Sequence, residues 1–382
     1  MLLYQRWNRK EQFKNTHPSI NCFKRNFNST LVTNSGVLHH EWIIGGKVVP
    51  ENDTMKSNTV IFLHGLLGNS KVFHIFFYLL IGILLSILLI LFFSITFPCD
   101  IYQNLRGPAK RLTAHHPHTS ALLLDLRGHG NSTSFYKKKQ KPHSTASPNP
   151  HTISSSALDI IETLQFLGLT GKQYSPVGVV GHSFGGRCAL QYLHTLTACQ
   201  QQQPSPYKVL PPKHTWLLDT VPGVAHKSVD DVFRAICKIP RPISSKKELV
   251  RMMIEDENIE SEIAAWMTTN LYKTDKGFDF IFDLDVVKLL LNDFPNQDFI
   301  GMLSDYSNIM EKRDNHSKIH MVIAGKNRAW TDDILLRLKD INCRIKNSKE
   351  PLLDLVFLEN AGHWVHIDDL DGLMNAMNNS FE

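Results

Sequence analysis

The sequence predicts an α/β fold, with a mostly parallel, doubly wound sheet and an inserted helical cap. Three observations predict it: short apolar runs that each end in a loop, amphipathic stretches between those runs, and one long helical segment that interrupts the alternation. A chain of 382 residues with 42% hydrophobic residues can bury one large core and carry such an insertion. We therefore expect one capped domain rather than two independent domains.

A basic segment, residues 1–40, precedes the predicted fold. Glu11 is its only acidic residue, and its lysines and arginines lie among serine, threonine and asparagine. This composition is typical of an organelle transit peptide and predicts a mitochondrial protein; the alternative is a disordered basic tail. Much of the net charge of +5 arises here, and no basic helix with interleaved aromatics follows. The sequence therefore does not favour a nucleic-acid partner.

Five short apolar runs predict the strands of the sheet. Apolar residues fill these runs without alternation, which is typical of strands buried on both faces of a parallel sheet. Helices are predicted between them, at Ser155–Leu167 and Arg187–Leu196, and ligands of such sheets bind beyond the carboxyl ends of the strands. The five runs are Thr59–Leu63, Ala121–Leu124, Val177–Val180, Trp216–Leu218 and Met321–Ala324.

The alternation stops between Pro222 and Asn315, where the apolar residues have helical spacing. We interpret residues 222–315 as the cap. The core that carries the sheet then comprises residues 41–221 and 316–382, on either side of it.

The segment Ile75–Phe97 is uncharged and almost wholly apolar, and it is long enough to cross a bilayer. Read literally, it is a transmembrane helix that anchors the protein. It falls, however, in a loop expected to shape the active site, where a membrane span would have to leave the fold and return. The alternative is that residues 72–103 are a retained intron, because Val and Gln codons supply GT and CAG and the apolar codons are rich in T. Sequencing the transcript across codons 70 to 106 distinguishes the two.

The strongest motif, Gly181-His-Ser-Phe-Gly185, directly follows a predicted strand. A G-x-S-x-G turn passes sharply from strand to helix, and a side chain at either glycine would crowd the two elements. Such a turn exposes its serine hydroxyl at the edge of the sheet. Ser183 is therefore the predicted nucleophile; the alternative is a serine in an ordinary tight turn.

A serine hydroxyl is a weak nucleophile until a neighbouring base removes its proton. His363 is the predicted base, because it follows a flexible Ala-Gly pair after the last predicted strand, Leu355–Leu358. Its position gives the chain order serine, acid, histidine. We expect His366 to be a structural neighbour.

Acyl transfer also requires donors for the developing oxyanion, and backbone amides supply them without reorganisation. The N–H groups of Leu66 and Phe184 are the candidates, and their side chains are expected to line an apolar acyl pocket. The neighbouring His64, Gly65 and His182 are the candidate substrate-binding residues. The segment Asp125–His129 is expected to fix its loop rather than to react.

Four motifs together carry a family resemblance. They closely resemble those of the α/β-hydrolase superfamily and, within it, the abhydrolase-domain-containing protein 11 group and the YbfF-type bacterial esterases. The resemblance covers about residues 40–380, apart from inserted loops and the apolar segment. It implies the α/β-hydrolase fold, a serine esterase or lipase-like activity, a mitochondrial location in animals, and no metal or organic cofactor. The motifs are His64-Gly-Leu-Leu-Gly68, Asp125-Leu-Arg-Gly-His-Gly-Asn-Ser132, Gly181-His-Ser-Phe-Gly-Gly186 and Asn360-Ala-Gly-His-Trp-Val-His366.

Three aspartates are candidates for the acid that orients His363. Asp219 stands at the carboxyl end of a predicted strand. Asp285 matches the family's N-L-D segment of the cap, although Asp283 stands where the family has asparagine. Asp332 lies late in the loop after the penultimate strand, where many α/β-hydrolases carry the acid. The sequence leaves all three open, and for each the alternative is a solvated surface carboxylate.

The predicted activity is hydrolysis of carboxylic esters or thioesters of small or lipid-like acyl groups, through an acyl-enzyme. The expected partner is thus a small acyl ester or a lipid, not a nucleic acid, with membrane contact only if Ile75–Phe97 is genuine. Two other hypotheses remain. One is a non-catalytic protein that binds or protects a partner on this scaffold, and the other is a membrane-anchored lipase.

Overall fold

The computed structural model describes residues 37–50, 58–69, 105–133, 149–200, 202, 204–223, 227–310, 317–344 and 353–381. Most of the basic segment, all of Ile75–Phe97 and the whole of 72–103 lie outside the described residues, so the expectations for them stay predictions. Within the described ranges, no helix combines the length and apolarity that a membrane span needs.

Within the part of the chain that the structure describes, eight strands form one sheet in the order β10-β9-β6-β5-β3-β4-β1-β2. Neighbouring strands from β10 to β4 are parallel, whereas β1 and β2 pair antiparallel at one edge. This sheet confirms the predicted fold class. The strands are β1 (His40–Ile44), β2 (Lys47–Val49), β3 (Thr59–Leu63), β4 (Ser120–Leu124), β5 (Gly178–His182), β6 (His214–Leu218), β7 (Leu271–Thr274), β8 (Gly277–Phe280), β9 (Lys318–Ala324) and β10 (Leu353–Leu358).

Helices cover both faces of the sheet, and successive strand residues enter opposite core layers. In β3, Ile61 and Leu63 belong to one apolar cluster, while Val60 and Phe62 belong to the other. This explains the unbroken apolar runs, since both faces are buried. The α-helices are α1 (Arg106–His115), α2 (Ile153–Phe166), α3 (Gly171–Tyr174), α4 (Phe184–Cys199), α5 (Lys227–Lys238), α6 (Lys246–Arg251), α7 (Ser261–Met267), α8 (Leu284–Asp293), α9 (Phe299–Met310), α10 (Asp332–Arg344), α11 (Val365–Asp368) and α12 (Leu370–Asn378).

Helices α5 to α9 and the antiparallel hairpin β7-β8 connect β6 to β9, within the segment expected to form the cap. The hairpin was not predicted. The cap is tied to the core at the loop after β4, where the Asp283 N–H donates to the Gly128 carbonyl oxygen at 2.8 Å. This connection places the cap above the carboxyl ends of the strands.

Candidate active site

Ser183 stands between β5 and α4 in a strained backbone conformation, with φ 51° and ψ −112°. The turn is tight: a Cβ at Gly181 would overlap the Gly185 carbonyl, and a Cβ at Gly185 would overlap the Leu63 carbonyl. Both glycines are therefore needed for strand and helix to approach so closely. Ser183 is half-buried and lines a cavity beneath the cap.

His363, in the loop after β10, is hydrogen-bonded to Asp219 at the carboxyl end of β6. The Nδ1–H of His363 donates to Asp219 Oδ2 at 2.6 Å, and the carboxylate is fully buried while the imidazole is about one third exposed. A proton held on Nδ1 by a carboxylate leaves Nε2 free to accept one. His363 lines the same cavity as Ser183.

The structure corrects the expectation that Asp285 orients the imidazole. Asp285 is exposed in the first turn of α8, and its N–H donates to the Asp283 carboxylate, which caps that helix. Asp332, the third candidate, is exposed at the start of α10. Both carboxylates occupy positions where negative charge stabilises a helix N-terminus. Of the three aspartates, the structure brings Asp219 to His363.

Within the described residues, no hydrogen bond joins the Ser183 hydroxyl to the His363 ring, although both residues line one cavity. Catalytic hydrogen bonds are often long in unliganded sites and tighten only when substrate is bound. The geometry thus brings the two side chains to one site without pairing them in this state.

Two backbone amides beside Ser183 are available as donors. Phe184 is the first residue of α4, so its N–H has no acceptor within the helix. Leu66 lies in a turn in which the Gly68 N–H donates to the Gly65 carbonyl oxygen at 3.0 Å. Among the described residues, the N–H groups of Leu66 and Phe184 donate to no other group.

Two histidines, His64 and His129, join the loop after β3 to the loop after β4. Nε2 of His64 accepts from the Leu126 N–H at 2.9 Å, and Nε2 of His129 accepts from the Leu67 N–H at 3.1 Å. In each ring, Nδ1–H donates to a backbone carbonyl, that of Gly65 or Arg127 respectively. We call this pair the histidine brace.

His64 was expected to bind substrate, and the structure corrects this. Its ring is buried, both nitrogens have backbone partners, and it is absent from the described cavity wall, where Gly65 and His182 do lie.

The Asp125–His129 segment fixes its loop, as expected, through His129 of the brace and through Arg127. The Arg127 guanidinium forms a buried two-bond ion pair with Asp159, with both contacts at 2.7 Å.

His182 links the three loops of the site. Its Nε2–H donates to the His363 carbonyl oxygen at 2.9 Å, and its ring lies 4.8 Å from the His363 ring and 4.7 Å from the His366 ring. On the other side, a Cβ at Gly65 would come within 2.8 Å of His182 Nδ1. Burial first, and the neighbouring histidines second, hold the pKa of His182 well below 6.5, so the ring is neutral.

The cavity has a volume of about 530 Å³, which is within the range of small-molecule sites. The Phe184 side chain, expected in its wall, is instead fully buried and stacked on Phe294 at 6.0 Å between ring centroids. The described wall is mainly apolar, with three carboxylates and without lysine or arginine. Its apolar members are Leu66, Leu67, Val229, Val232, Ile263, Trp266, Trp364 and Ile367, and its carboxylates are Glu260, Glu262 and Asp368.

Among the described residues, His, Cys, Asp and Glu side chains form no group of three or more that could hold a metal ion. Four histidines in and around the site, His64, His129, His182 and His363, instead hydrogen-bond to backbone groups or to Asp219.

Solved structures with this fold include several hydrolases. The chain is similar to an esterase from a marine microorganism, with 17% identity, a TM-score of 0.55, and coverage of 90% of this chain and 99% of that one. It is also similar to an enol-lactonase from Burkholderia xenovorans LB400, with 11% identity, a TM-score of 0.49, and coverage of 90% and 95%. The identity to the esterase is low, so that likeness shows a shared fold alone. No curated protein sequence is significantly similar to the chain.

The model of the α/β-hydrolase family matches residues 60–376, which is most of the chain. This range contains the strained turn at Ser183, the cap and the His363 loop. The chain therefore belongs to the α/β-hydrolase family.

Proposed function

We propose that the protein is a serine hydrolase that cleaves carboxylic esters or thioesters through an acyl-enzyme. The observation that carries the proposal is that Ser183, on its strained turn, shares one cavity with a His363 whose Nδ1 proton is held by Asp219. A base with this tautomer is the partner that a serine nucleophile needs.

In the proposed first step, Ser183 Oγ attacks the acyl carbon while His363 Nε2 takes the hydroxyl proton. The tetrahedral oxyanion accepts hydrogen bonds from the Leu66 and Phe184 amides, each contributing about 3 kcal/mol of transition-state stabilisation. The C–O or C–S bond to the leaving group then breaks, and the imidazolium returns the proton to the departing oxygen or sulfur. A water molecule repeats the sequence on the acyl-enzyme and releases the carboxylic acid.

The mainly apolar wall supports neutral acyl groups as substrates, because apolar surface that leaves water contributes about 25 cal/mol per Å². From the sequence resemblance, we also propose that the protein is related to the abhydrolase-domain-containing protein 11 group and that it is located in mitochondria. Membrane attachment through Ile75–Phe97 is a separate hypothesis, and carbonate extraction of the cellular protein tests it.

A fluorophosphonate probe tests the proposal directly, because it reacts with activated serines. We expect one adduct, on Ser183, in the folded protein, and none in Ser183→Ala. Hydrolysis of p-nitrophenyl esters of graded chain length should disappear in the same variant. An unlabelled Ser183 in folded protein, or full activity in Ser183→Ala, would favour a non-catalytic binding protein on this scaffold.

A further inference from the structure

From the described residues, the Asp219 carboxylate accepts four hydrogen bonds, one of which comes from His363. Trp330 Nε1–H donates to Oδ1 at 2.6 Å, Asn327 Nδ2–H donates to Oδ2 at 2.6 Å, and the Ala324 N–H donates to Oδ1 at 3.1 Å. These three donors belong to the end of β9 and the loop that follows it. This loop is where many members of the family carry the acid itself, yet here it supplies donors to an acid on β6.

The side-chain amide of Asn327 can be oriented in one way only. Its Oδ1 accepts from the Ala329 N–H at 3.1 Å, so its Nδ2 faces Asp219. Asn327 Nδ2 and His363 Nδ1 therefore donate to the same carboxylate oxygen. A carboxylate at position 327 would set two negative charges against one another, which explains why an amide suits this place.

Trp330 holds the other oxygen. Its backbone N–H donates to the Asn327 carbonyl oxygen at 3.2 Å, which closes the turn that carries both side chains. Hydrogen bonds to a charged acceptor are stronger than those between neutral groups. With both oxygens held, the carboxylate plane cannot rotate away from the imidazole.

We propose that Asn327 and Trp330 are positioning residues that fix the Asp219 carboxylate, and through it the tautomer and orientation of His363. This inference rests on the proposed serine hydrolase function and adds two residues to its machinery. Neither residue belongs to the described cavity wall, so both would act through Asp219 rather than on substrate.

Kinetics of Asn327→Ala and Trp330→Phe test the proposal, since the second variant keeps an aromatic side chain while removing the indole N–H donor. We expect each to lower kcat for a p-nitrophenyl ester about tenfold with little change in KM, and to slow fluorophosphonate labelling of Ser183 in parallel. The matched control is Asn342→Ala. Asn342 also makes two backbone hydrogen bonds, to Leu353 at 2.6 and 3.0 Å, and touches neither Asp219 nor His363.

An exchange of acid and amide supplies the second test. Asp219→Asn alone should lower kcat by about 10³-fold or more. Adding Asn327→Asp returns a carboxylate to the immediate surroundings of the imidazole, and we expect at least about a tenfold recovery. Thermal unfolding of each variant establishes that it is folded.

The outcomes separate this inference from the proposed function. If the wild-type protein neither hydrolyses esters nor labels at Ser183, the proposed function fails. If the wild type is active but folded Asn327→Ala and Trp330→Phe keep its kcat and labelling rate, the positioning role alone is overturned. A drop in kcat in both variants, with Asn342→Ala unchanged, supports it.

Discussion

Three of the five described non-glycine residues with positive φ lie at the site: Leu67, Ser183 and Asp219. The remaining two are asparagines, which tolerate this conformation. Strain of this kind costs about 1–3 kcal/mol per residue and persists where the surrounding structure enforces it. At Ser183 the surroundings are the contacts of Gly181 and Gly185, so the placement of the serine in the cavity wall is obtained at the expense of stability.

Ser183→Gly and Ser183→Ala should therefore differ in stability. Both variants lose the nucleophile and should be inactive. Glycine adopts φ 51° without a steric penalty, whereas alanine keeps the strain. We therefore expect Ser183→Gly to have a free energy of unfolding about 1 kcal/mol higher than Ser183→Ala. Urea denaturation measures this difference. Equal midpoints would show that the turn carries no backbone strain.

The histidine brace is expected to affect the rate of the proposed reaction. His129→Ala removes the acceptor for the buried Leu67 N–H, which lies next to the Leu66 amide proposed for the oxyanion hole. A shift of about 1 Å in such a group can lower the rate about a hundredfold. We expect kcat to fall about 10- to 100-fold, with a smaller change in KM.

His320→Ala is the control for the brace. His320 is also buried and hydrogen-bonded, to Asp354 at 3.0 Å, but it belongs to β9 and does not line the cavity. The His320→Ala variant should be less stable than the wild type and should keep the wild-type kcat. Equal kcat in His129→Ala and the wild type would contradict a role for the brace in positioning the oxyanion amides.

At the scale of elements, the apolar runs were sufficient to predict the strands that form the middle of the sheet. They underestimated strand length where polar residues continue the ladder: the predicted Trp216–Leu218 lies within β6, which begins at His214. The edge pair β1 and β2 was missed, although Gly45 and Gly46 are a two-residue hairpin signal. Both have positive φ, 55° and 75°, as such a turn requires.

The site was predictable where chemistry is local in sequence and not where it depends on strand order. Ser183 and His363 stand in motifs that can be recognised alone. The choice of Asp219 requires that β6 lie between β5 and β9, which no local pattern specifies. The donors Asn327 and Trp330 were missed for the same reason. Asp285 was a false match because Asp-Leu-Asp is also a helix-start signal.

The cap supplies charge to the entrance of the cavity. Glu260 precedes α7 and Glu262 lies in its first turn, and both line the cavity and are exposed. Like charges reduce the local concentration of an anionic substrate, and ionic strength screens the effect. We therefore predict that a neutral p-nitrophenyl ester is hydrolysed faster than an analogue with a terminal carboxylate on its acyl chain.

The double variant Glu260→Gln/Glu262→Gln tests this. It should raise kcat/KM for the anionic ester about two- to fivefold at low salt and leave the neutral ester unchanged. The gain should shrink as salt is added. An equal change for both esters would point to altered packing of α7 instead of charge.

Four buried histidines of the described chain surround the site, and all are held neutral. Burial lowers the pKa of His129 and of His366 to about 3 each. It also lowers the pKa of His64, and holds that of His182 well below 6.5. In the brace, neutrality is required by geometry, because each Nε2 accepts a backbone hydrogen bond and could not do so when protonated.

These histidines make the fold sensitive to acid. His129 and His366 take up protons near pH 6.5 in the unfolded chain but only near pH 3 in the folded protein, so the unfolded state binds more protons between these values. The lowered pKa values of His64 and His182 act in the same direction. Their contribution is complete above pH 6.5 and is lost as the pH falls through that window. For each histidine that stays neutral in the folded protein, the free energy of unfolding should fall by about 1.4 kcal/mol for every unit by which the pH is lowered within this window.

Denaturant titrations at several values between pH 7.5 and pH 4.5 measure this slope, and His366→Phe should reduce it. His366 suits the test because its Nδ1 is buried without a hydrogen-bond partner among the described residues, so phenylalanine removes a desolvated polar atom and breaks no described bond. We expect the slope to fall by about 1.4 kcal/mol per pH unit relative to the wild type. His118→Gln, at an exposed histidine, is the control. A slope that is the same in His366→Phe and the wild type would mean that His366 does not contribute to the acid sensitivity of the fold.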